Sequence, residues 1–364
     1  MKYIKRIAFW LAMLIIALIL ISAVLMIIWS PGKMEPYRDA SGNVLSSSVS
    51  EIVRVPIGGI EQGMIIQGRD IRQPVLLFLH GGPGSPEYPM ADAVSGRLAD
   101  MFTVCWWDQR GSGMSYHSSI PPETMTLEQL IEDTKEVAEY LANRFGVEKV
   151  YLMGHSWGSY LGVYTAAKYP QLFNAYIGIG QVANQFVSEQ KAYDYMLKQA
   201  KATGDAKLEN ELLKYTLDTP SALVPAYMAV RTDGMNRLGI GMKHSRASYF
   251  WDGVFPVLRC RAYTLWEKVN YVRGMNFSQT YLWDRAASDY LIESVPTLEI
   301  PVYIFHGIHD YQTSYEEAKA FFEQLQAQEK HFYPFEGSAH SPLFEEPERF
   351  IQLLREDVLG VSLP

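Results

Sequence analysis

Ser156, Asp310 and His340 are the side chains whose types and order would support acyl transfer. Ser156 stands at the centre of Gly154-His155-Ser156-Trp157-Gly158, between the apolar run Val147–Met153 and the helix-forming run Tyr160–Ala167. An apolar run, then G-x-S-x-G, then a helix reads as a sharp strand-to-helix turn. Its flanking glycines remove side chains that would clash, and the serine hydroxyl is lifted above a sheet edge. A hydroxyl is a nucleophile only when a base takes its proton, so an imidazole must lie within reach and an acid must hold that imidazole in one tautomer.

The acid and base are expected after the serine, in loops that follow strands. Asp310 lies just beyond the apolar run Val302–Phe305, and His340 lies in Glu336-Gly337-Ser338-Ala339-His340-Ser341-Pro342, just beyond His331–Phe335. Both stand where a mostly parallel sheet presents functional groups. His340 would accept the Ser156 proton, Asp310 would orient the imidazole, and an acyl-enzyme would form and then be hydrolysed. Asp108 is the rival acid, but it precedes the serine, and its neighbour Arg110 suggests a structural ion pair. His306 and His309 flank the Asp310 turn, His331 lies on a strand, His117 and His244 lack a strand-end setting, and His155 is expected to point away from the nucleophile.

A third element is His80-Gly81-Gly82-Pro83-Gly84, directly after Val75–Leu79. Glycines there let backbone N–H groups approach a carbonyl oxygen. The N–H of Gly82, with that of Trp157, is expected to form an oxyanion hole, and spacing alone leaves Gly81 open as the donor in place of Gly82. A phosphate loop is excluded, because neither G-K-S nor G-x-G-x-x-G is present.

The elements that position these groups alternate between strands and helices. Strands are expected at Glu51–Ile57, Gly63–Gly68, Val75–Leu79, Phe102–Trp107, Val147–Met153, Ala175–Ile179, Val302–Phe305 and His331–Phe335, with helices from Thr126 to Phe145, from Tyr315 to Ala327 and from Pro347 to Val358. Thr126 and Gln129 have capping-box spacing, and Gly146 is a stop. This rhythm predicts a mostly parallel, doubly wound α/β sheet. It lapses over 181–296, a helical, aromatic-rich stretch expected to form a cap, which divides the core into 51–180 and 297–364.

Ile7–Trp29 is apolar except for Ser22, and as a helix it would be about 34 Å long, enough to cross a bilayer core. Lys2, Lys5 and Arg6 precede it, and Trp10 and Trp29 lie where interfacial aromatics belong. The expectation is an uncleaved anchor over 1–29 with a cytoplasmic N-terminus, a polar linker over 30–50, and an extracytoplasmic catalytic domain. A cleaved signal peptide would have a shorter apolar region and small residues at its end. The formal charge of −8 leaves no basic face for nucleic acid. Cys105, inside an expected strand, reads as a buried free thiol. The scattered histidines show no metal-ligand spacing, and no cofactor is expected.

Three motifs together carry a resemblance: His80-Gly81-Gly82-Pro83-Gly84-Ser85-Pro86, Trp107-Asp108-Gln109-Arg110-Gly111-Ser112-Gly113-Met114-Ser115, and Gly154-His155-Ser156-Trp157-Gly158-Ser159. The chain resembles the proline iminopeptidase group of α/β-hydrolases over about 52–182 and 298–350. The resemblance implies an α/β-hydrolase fold with a helical cap, the triad Ser156, Asp310 and His340, oxyanion donors Gly82 and Trp157, and removal of an N-terminal residue, often proline, from short peptides. It departs at His155, where the family usually has glycine and many esterases have histidine. Glu267, in Leu265-Trp266-Glu267, resembles the cap glutamate that holds the substrate amine, and Glu189 is a second candidate. A carboxylesterase or lipase-like enzyme with the same triad is the alternative, and a non-catalytic ligand-binding receptor is a third reading. Haloalkane dehalogenase and epoxide hydrolase chemistry is disfavoured by serine at the elbow.

Overall fold

The computed structural model describes residues 2–245 and 248–361. Ten strands are present among them: β1 (Val49–Ile57), β2 (Ile60–Gly68), β3 (Val75–Leu79), β4 (Thr103–Trp107), β5 (Val150–His155), β6 (Phe173–Ile179), β7 (Thr297–Leu298), β8 (Val302–Gly307), β9 (Gln326–Ala327) and β10 (Lys330–Phe335). Eight of them form one sheet in the order β1-β2-β4-β3-β5-β6-β8-β10, and β7 pairs with β9 apart from it. β1, β2 and β4 pair antiparallel, and every pairing from β4 to β10 is parallel. The expected mostly parallel α/β sheet is the observed one.

Every residue of β3 and β4 is buried, because parallel strands are covered on both faces and so read as unbroken apolar runs. Alternate side chains of β3 enter different cores. Val75, Leu77 and Leu79 pack under the helices Leu127–Phe145 and Trp157–Lys168, while Leu76 and Phe78 face Leu98, Leu343, Phe350 and Leu354.

Helix Leu127–Phe145 begins where Thr126 Oγ1 accepts the Gln129 N–H at 3.2 Å and ends at Gly146 in the left-handed region, φ +66°. The expected capping box is only half made. The Gln129 amide turns to Asp133 Oδ1 at 2.8 Å, because Asp133 is a buried carboxylate with several donors to collect. The helix expected from Tyr315 to Ala327 stops at Gln324, and β9 follows.

Between β6 and β7 the chain leaves the sheet for the helices Gln185–Thr203, Ala206–Leu212, Pro225–Leu238 and Leu265–Ser288. The first three have a core of their own, built on Met196, Leu208, Leu212, Tyr227 and Met235. At the N-terminus, helix Lys2–Ile28 contains the stretch Tyr3–Ile28, which is long and apolar enough to cross a membrane, with mean hydropathy 3.3 and none of its most apolar window buried. Cys105 is buried and Cys260 half-buried, both as free thiols.

Candidate active site

The turn from β5 into helix Trp157–Lys168 holds Ser156 at φ +55°, the one non-glycine residue with positive φ among the described residues. Such a conformation costs on the order of 1–3 kcal/mol and persists only where its surroundings fix it. Here the Ser156 N–H donates to the Ile179 carbonyl at 2.9 Å, and the Ser156 carbonyl accepts the Ser159 N–H and Oγ–H at 2.8 and 2.6 Å. The flanking glycines are required by close approach. A Cβ on Gly158 would lie 2.0 Å from the Leu79 carbonyl oxygen, and one on Gly154 would lie 2.2 Å from that of Gly158.

Asp310 and His340, thirty residues apart, meet at the ends of β8 and β10. Asp310 Oδ2 lies 2.8 Å from His340 Nδ1. Asp310 also accepts the N–H groups of Gln312 at 2.7 Å and Thr313 at 3.0 Å, and the Thr313 hydroxyl at 2.8 Å. Burial by itself raises the Asp310 carboxyl. The His340 charge and the hydrogen bonds from His306 and His340 outweigh burial and hold it well below the usual carboxylate range. His306 Nδ1 accepts the Gln181 N–H at 3.1 Å, while its Nε2–H faces the Thr313 carbonyl at 2.8 Å and Asp310 at 3.1 Å.

An ionised Asp310 fixes the His340 proton on Nδ1. His340 Nε2 then carries the lone pair, and it is buried with no hydrogen-bond partner, Ser156 Oγ included. Burial lowers the His340 pKa and the Asp310 carboxylate only partly restores it, so the ring stays neutral near pH 7. The ring lies over Gly180 and 4.9 Å from the ring of His155, the residue before Ser156.

The glycine loop after β3 lies against the Ser156 turn: a Cβ on Gly81 would be 3.1 Å from Ser156 Cβ. The Gly81 N–H donates to Glu87 Oε1 at 2.9 Å, whereas Gly82, at φ +114°, is not held by that carboxylate. His80 is neutral. Its Nε2 accepts the Gln109 N–H at 3.1 Å, its Nδ1–H donates to the Gly81 carbonyl at 2.8 Å, and burial lowers its pKa to about 4. Gln109 completes the scaffold, donating to the His80 carbonyl at 2.9 Å and accepting Trp157 Nε1–H at 3.1 Å. The Trp107–Ser115 motif thus ties the glycine loop to the elbow.

His155 and Glu87 make a second buried link that sequence reading missed. Glu87 Oε1 lies 2.7 Å from His155 Nδ1, and His155 Nε2 lies 3.0 Å from the His340 carbonyl. A carbonyl only accepts, so Nε2 carries a proton. Burial pulls the His155 pKa down, but the Glu87 charge and hydrogen bond and the His340 carbonyl together raise it. One carboxylate therefore joins the glycine loop, the elbow and the His340 loop. Glu87 follows the quoted glycine motif directly, but nothing in its neighbours signals burial.

The remaining candidates are engaged elsewhere. Asp108 is not paired with Arg110, as sequence adjacency suggested. Arg110 forms a two-pronged pair with Asp133 at 2.7 and 3.0 Å, because side chains two apart in this turn diverge. Asp108 instead accepts the Met114 N–H and the Tyr263 hydroxyl, and burial raises its pKa to about 7. Glu267 pairs with Arg54 through one oxygen and closes a capping box on Thr264 through the other. Glu189 is held by Arg231 at 2.7 and 2.8 Å and by Gln185. Neither candidate amine ligand is a free carboxylate.

A mostly parallel sheet with a positive-φ serine after β5, a carboxylate–imidazole pair at the ends of β8 and β10, and helices inserted ahead of them define the α/β-hydrolase class. The chain belongs to that family: the family model for the alpha/beta hydrolase fold matches residues 74–347. It is 33% identical over 308 residues to "Probable aminopeptidase YbaC" of Bacillus subtilis, covering 84% of this chain and 96% of the relative. It is 26% identical over 315 residues to a proline iminopeptidase of Lactobacillus helveticus, covering 83% of this chain and 96% of that one. Among solved structures it is similar to the proline iminopeptidase-related protein of Thermus thermophilus, with TM-score 0.60 and 21% identity, covering 86% of this chain and 98% of that one.

Proposed function

We propose that this chain is a serine aminopeptidase that releases N-terminal residues, proline among them, from short peptides through an acyl-enzyme on Ser156. The observation that carries the hydrolytic chemistry is the buried, unpartnered Nε2 of His340 on a ring whose Nδ1–H is held by Asp310. That nitrogen takes the Ser156 proton as Oγ attacks the scissile carbonyl, and Asp310 stabilises the imidazolium that forms. The imidazolium then protonates the leaving amine. Water, deprotonated by His340, attacks the acyl-enzyme and frees the residue. The N–H groups of Gly82 and Trp157 receive the developing oxyanion, each contributing roughly 3 kcal/mol to the transition state. Engagement of the Gly81 N–H by Glu87 favours Gly82 for this role. The peptide substrate is supported by the aminopeptidase and proline iminopeptidase names of the relatives.

One observation favours a second reading, a carboxylesterase with the same triad. Glu267 and Glu189 are each neutralised by an arginine, so a substrate amine would have to displace Arg54 or Arg231 to use either. Hydrolysis of prolyl-anilide against that of a short-chain nitrophenyl ester separates the two. The peptidase reading predicts anilide turnover, with Glu267→Gln raising KM for free-amine substrates and sparing N-blocked esters. Ester turnover with no cleavage of any N-terminal amide would overturn it. Fluorophosphonate labelling that Ser156→Ala abolishes excludes a non-catalytic receptor.

We further propose that helix Lys2–Ile28 anchors the enzyme in a bilayer, with Lys2, Lys5 and Arg6 on the cytoplasmic side. The catalytic core over 51–180 and 297–364 and its cap over 181–296 then stand on the far side, joined through residues 30–50.

A further inference from the structure

We propose that the outward face at the start of helix Leu265–Ser288, together with Phe250 and Trp251, lies in the lipid interface of the membrane that holds the chain's own N-terminal helix. The inference rests on reading that helix as an anchor. It concerns the cap, whose contact with lipid does not follow from anchoring alone.

The first two turns of this helix have their polarity inverted. Leu265, Trp266, Val269 and Val272 are 49, 63, 41 and 54% exposed, while Glu267, Lys268 and Asn270 are buried. Positions 265, 269 and 272 follow helical spacing, so they form one continuous outward stripe. A helix facing water shows the opposite arrangement, with apolar residues inward. Glu267 caps the helix and pairs with Arg54, and Asn270 donates through Nδ2 to the Tyr116 carbonyl at 3.2 Å while its Oδ1 is buried without a partner. The stripe therefore has no packing explanation within the chain.

Contacts with the anchor identify what covers it. Lys268 Nζ donates to the Trp29 carbonyl at 2.7 Å, to Ser30 Oγ at 3.0 Å and to the Leu258 carbonyl at 2.6 Å. Pro31 bridges Thr264, the residue before Leu265, and Arg261 donates to the Ile28 carbonyl at 3.3 Å. A helix of 27 residues is about 40 Å long and spans a hydrocarbon core of about 30 Å, which brings its Trp29 end to headgroup depth. The stripe starts at that junction and shares its depth.

Aromatic rings continue the same surface. Trp29 stacks edge-on to Phe255 at 6.0 Å, Phe255 lies 5.2 Å from Trp251, and Trp251 lies 5.0 Å from Phe250. Phe250 and Trp251 are 47 and 64% exposed. Indole and phenyl rings beside cationic side chains are the composition of a membrane–water interface, and Arg273 supplies such a cation 5.7 Å over the Trp266 ring. Since the anchor already touches this junction, the surface continuous with it meets the leaflet.

Environment-sensitive labels on the full-length protein test this. In a Cys260→Ser background, Trp251→Cys, Trp266→Cys and Val269→Cys carry a nitrobenzoxadiazole probe. Glu148→Cys, at the opposite end of the sheet beside β5, carries the control, and buried Cys105 stays unlabelled. Each protein is reconstituted into phosphatidylcholine–phosphatidylglycerol vesicles with or without lipid bearing a nitroxide near its headgroup. Carbonate-resistant flotation reports the anchor independently. The proposal predicts flotation and loss of about half or more of the emission at 251, 266 and 269, with none at 148. Flotation with unquenched probes overturns the interface surface and leaves the anchor standing. Probes shielded from water but deaf to the nitroxide, with maleimide cross-links at 266 between copies, assign the face to a second chain and also overturn it. Failure to float removes the anchor and the inference together.

Discussion

At residue scale, the proposed role of His340 as a base rests on two opposed effects. Burial disfavours its charged form and the Asp310 carboxylate favours it, with burial the larger. The ring's pKa therefore lies below the ordinary histidine value of about 6.5. The acid limb of kcat/KM is expected below that value, with activity rising as the ring loses its proton; a limb above about 7 would contradict the assignment. Asp310→Asn keeps the shape but no longer demands a proton on Nδ1, and kcat should fall about 10⁴-fold with the fold intact by circular dichroism. The Glu87–His155 pair makes a separate, structural prediction. Glu87→Ala leaves a buried imidazole unpaired and frees the Gly81 N–H, so unfolding stability should drop by about 3–5 kcal/mol. The folded His155 pKa is raised, so this contribution is complete below the unfolded value of about 6.5 and is lost as pH rises through the folded value. Denaturation midpoints of wild type and Glu87→Ala should converge with rising pH; a constant gap would show that the pair does not titrate.

At the scale of elements, the elbow stands on backbone contact, which side-chain repacking cannot relieve. Gly158→Ala would drive a methyl to 2.0 Å from the Leu79 carbonyl oxygen, displacing β3 from the turn, and should destabilise by more than about 4 kcal/mol. Gly146→Ala, at φ +66° with no atom within 4 Å of the new methyl, should cost only about 1 kcal/mol. Equal midpoints for the two variants in urea would remove the elbow's special status. This scale was also the one most legible beforehand. β3, β4 and β8 read as short apolar runs because burial on both faces leaves no alternation to hide them. Asp310 and His340 read as functional because each follows an expected strand. The pairings hidden from sequence join distant segments: Glu87 with His155, Arg110 with Asp133, and Arg54 with Glu267. Nothing local encodes these, since a buried charge is recognised only by the partner that folding brings to it. Glu267 is the instructive exception. Thr264-Leu265-Trp266-Glu267 has capping-box spacing, so the structural role of Glu267 is legible in the sequence beside its resemblance to a substrate ligand.

At the scale of the whole molecule, the apolar N-terminal helix and the inserted helices meet at one junction, where Lys268 donates to the Trp29 carbonyl and Thr264 bridges Pro31. The inserted helices are thereby fixed to the N-terminal helix as well as to the sheet. Among them, helix Leu265–Ser288 runs on to the glycine loop, where a Cβ on Gly84 would lie 2.6 Å from Ser278. Removing residues 1–29 should release the enzyme from membranes while leaving the elbow and the Asp310–His340 pair in place, and ester hydrolysis in the soluble fraction measures that. Everything proposed for the chemistry depends on Ser156 becoming a nucleophile through His340. The most direct measurement is peptide mass spectrometry after treatment with a fluorophosphonate. A single adduct on the peptide containing Ser156, present in wild type and lost in His340→Ala, is the predicted result. An adduct that persists at full yield in His340→Ala, or that sits on any other residue, would contradict the account.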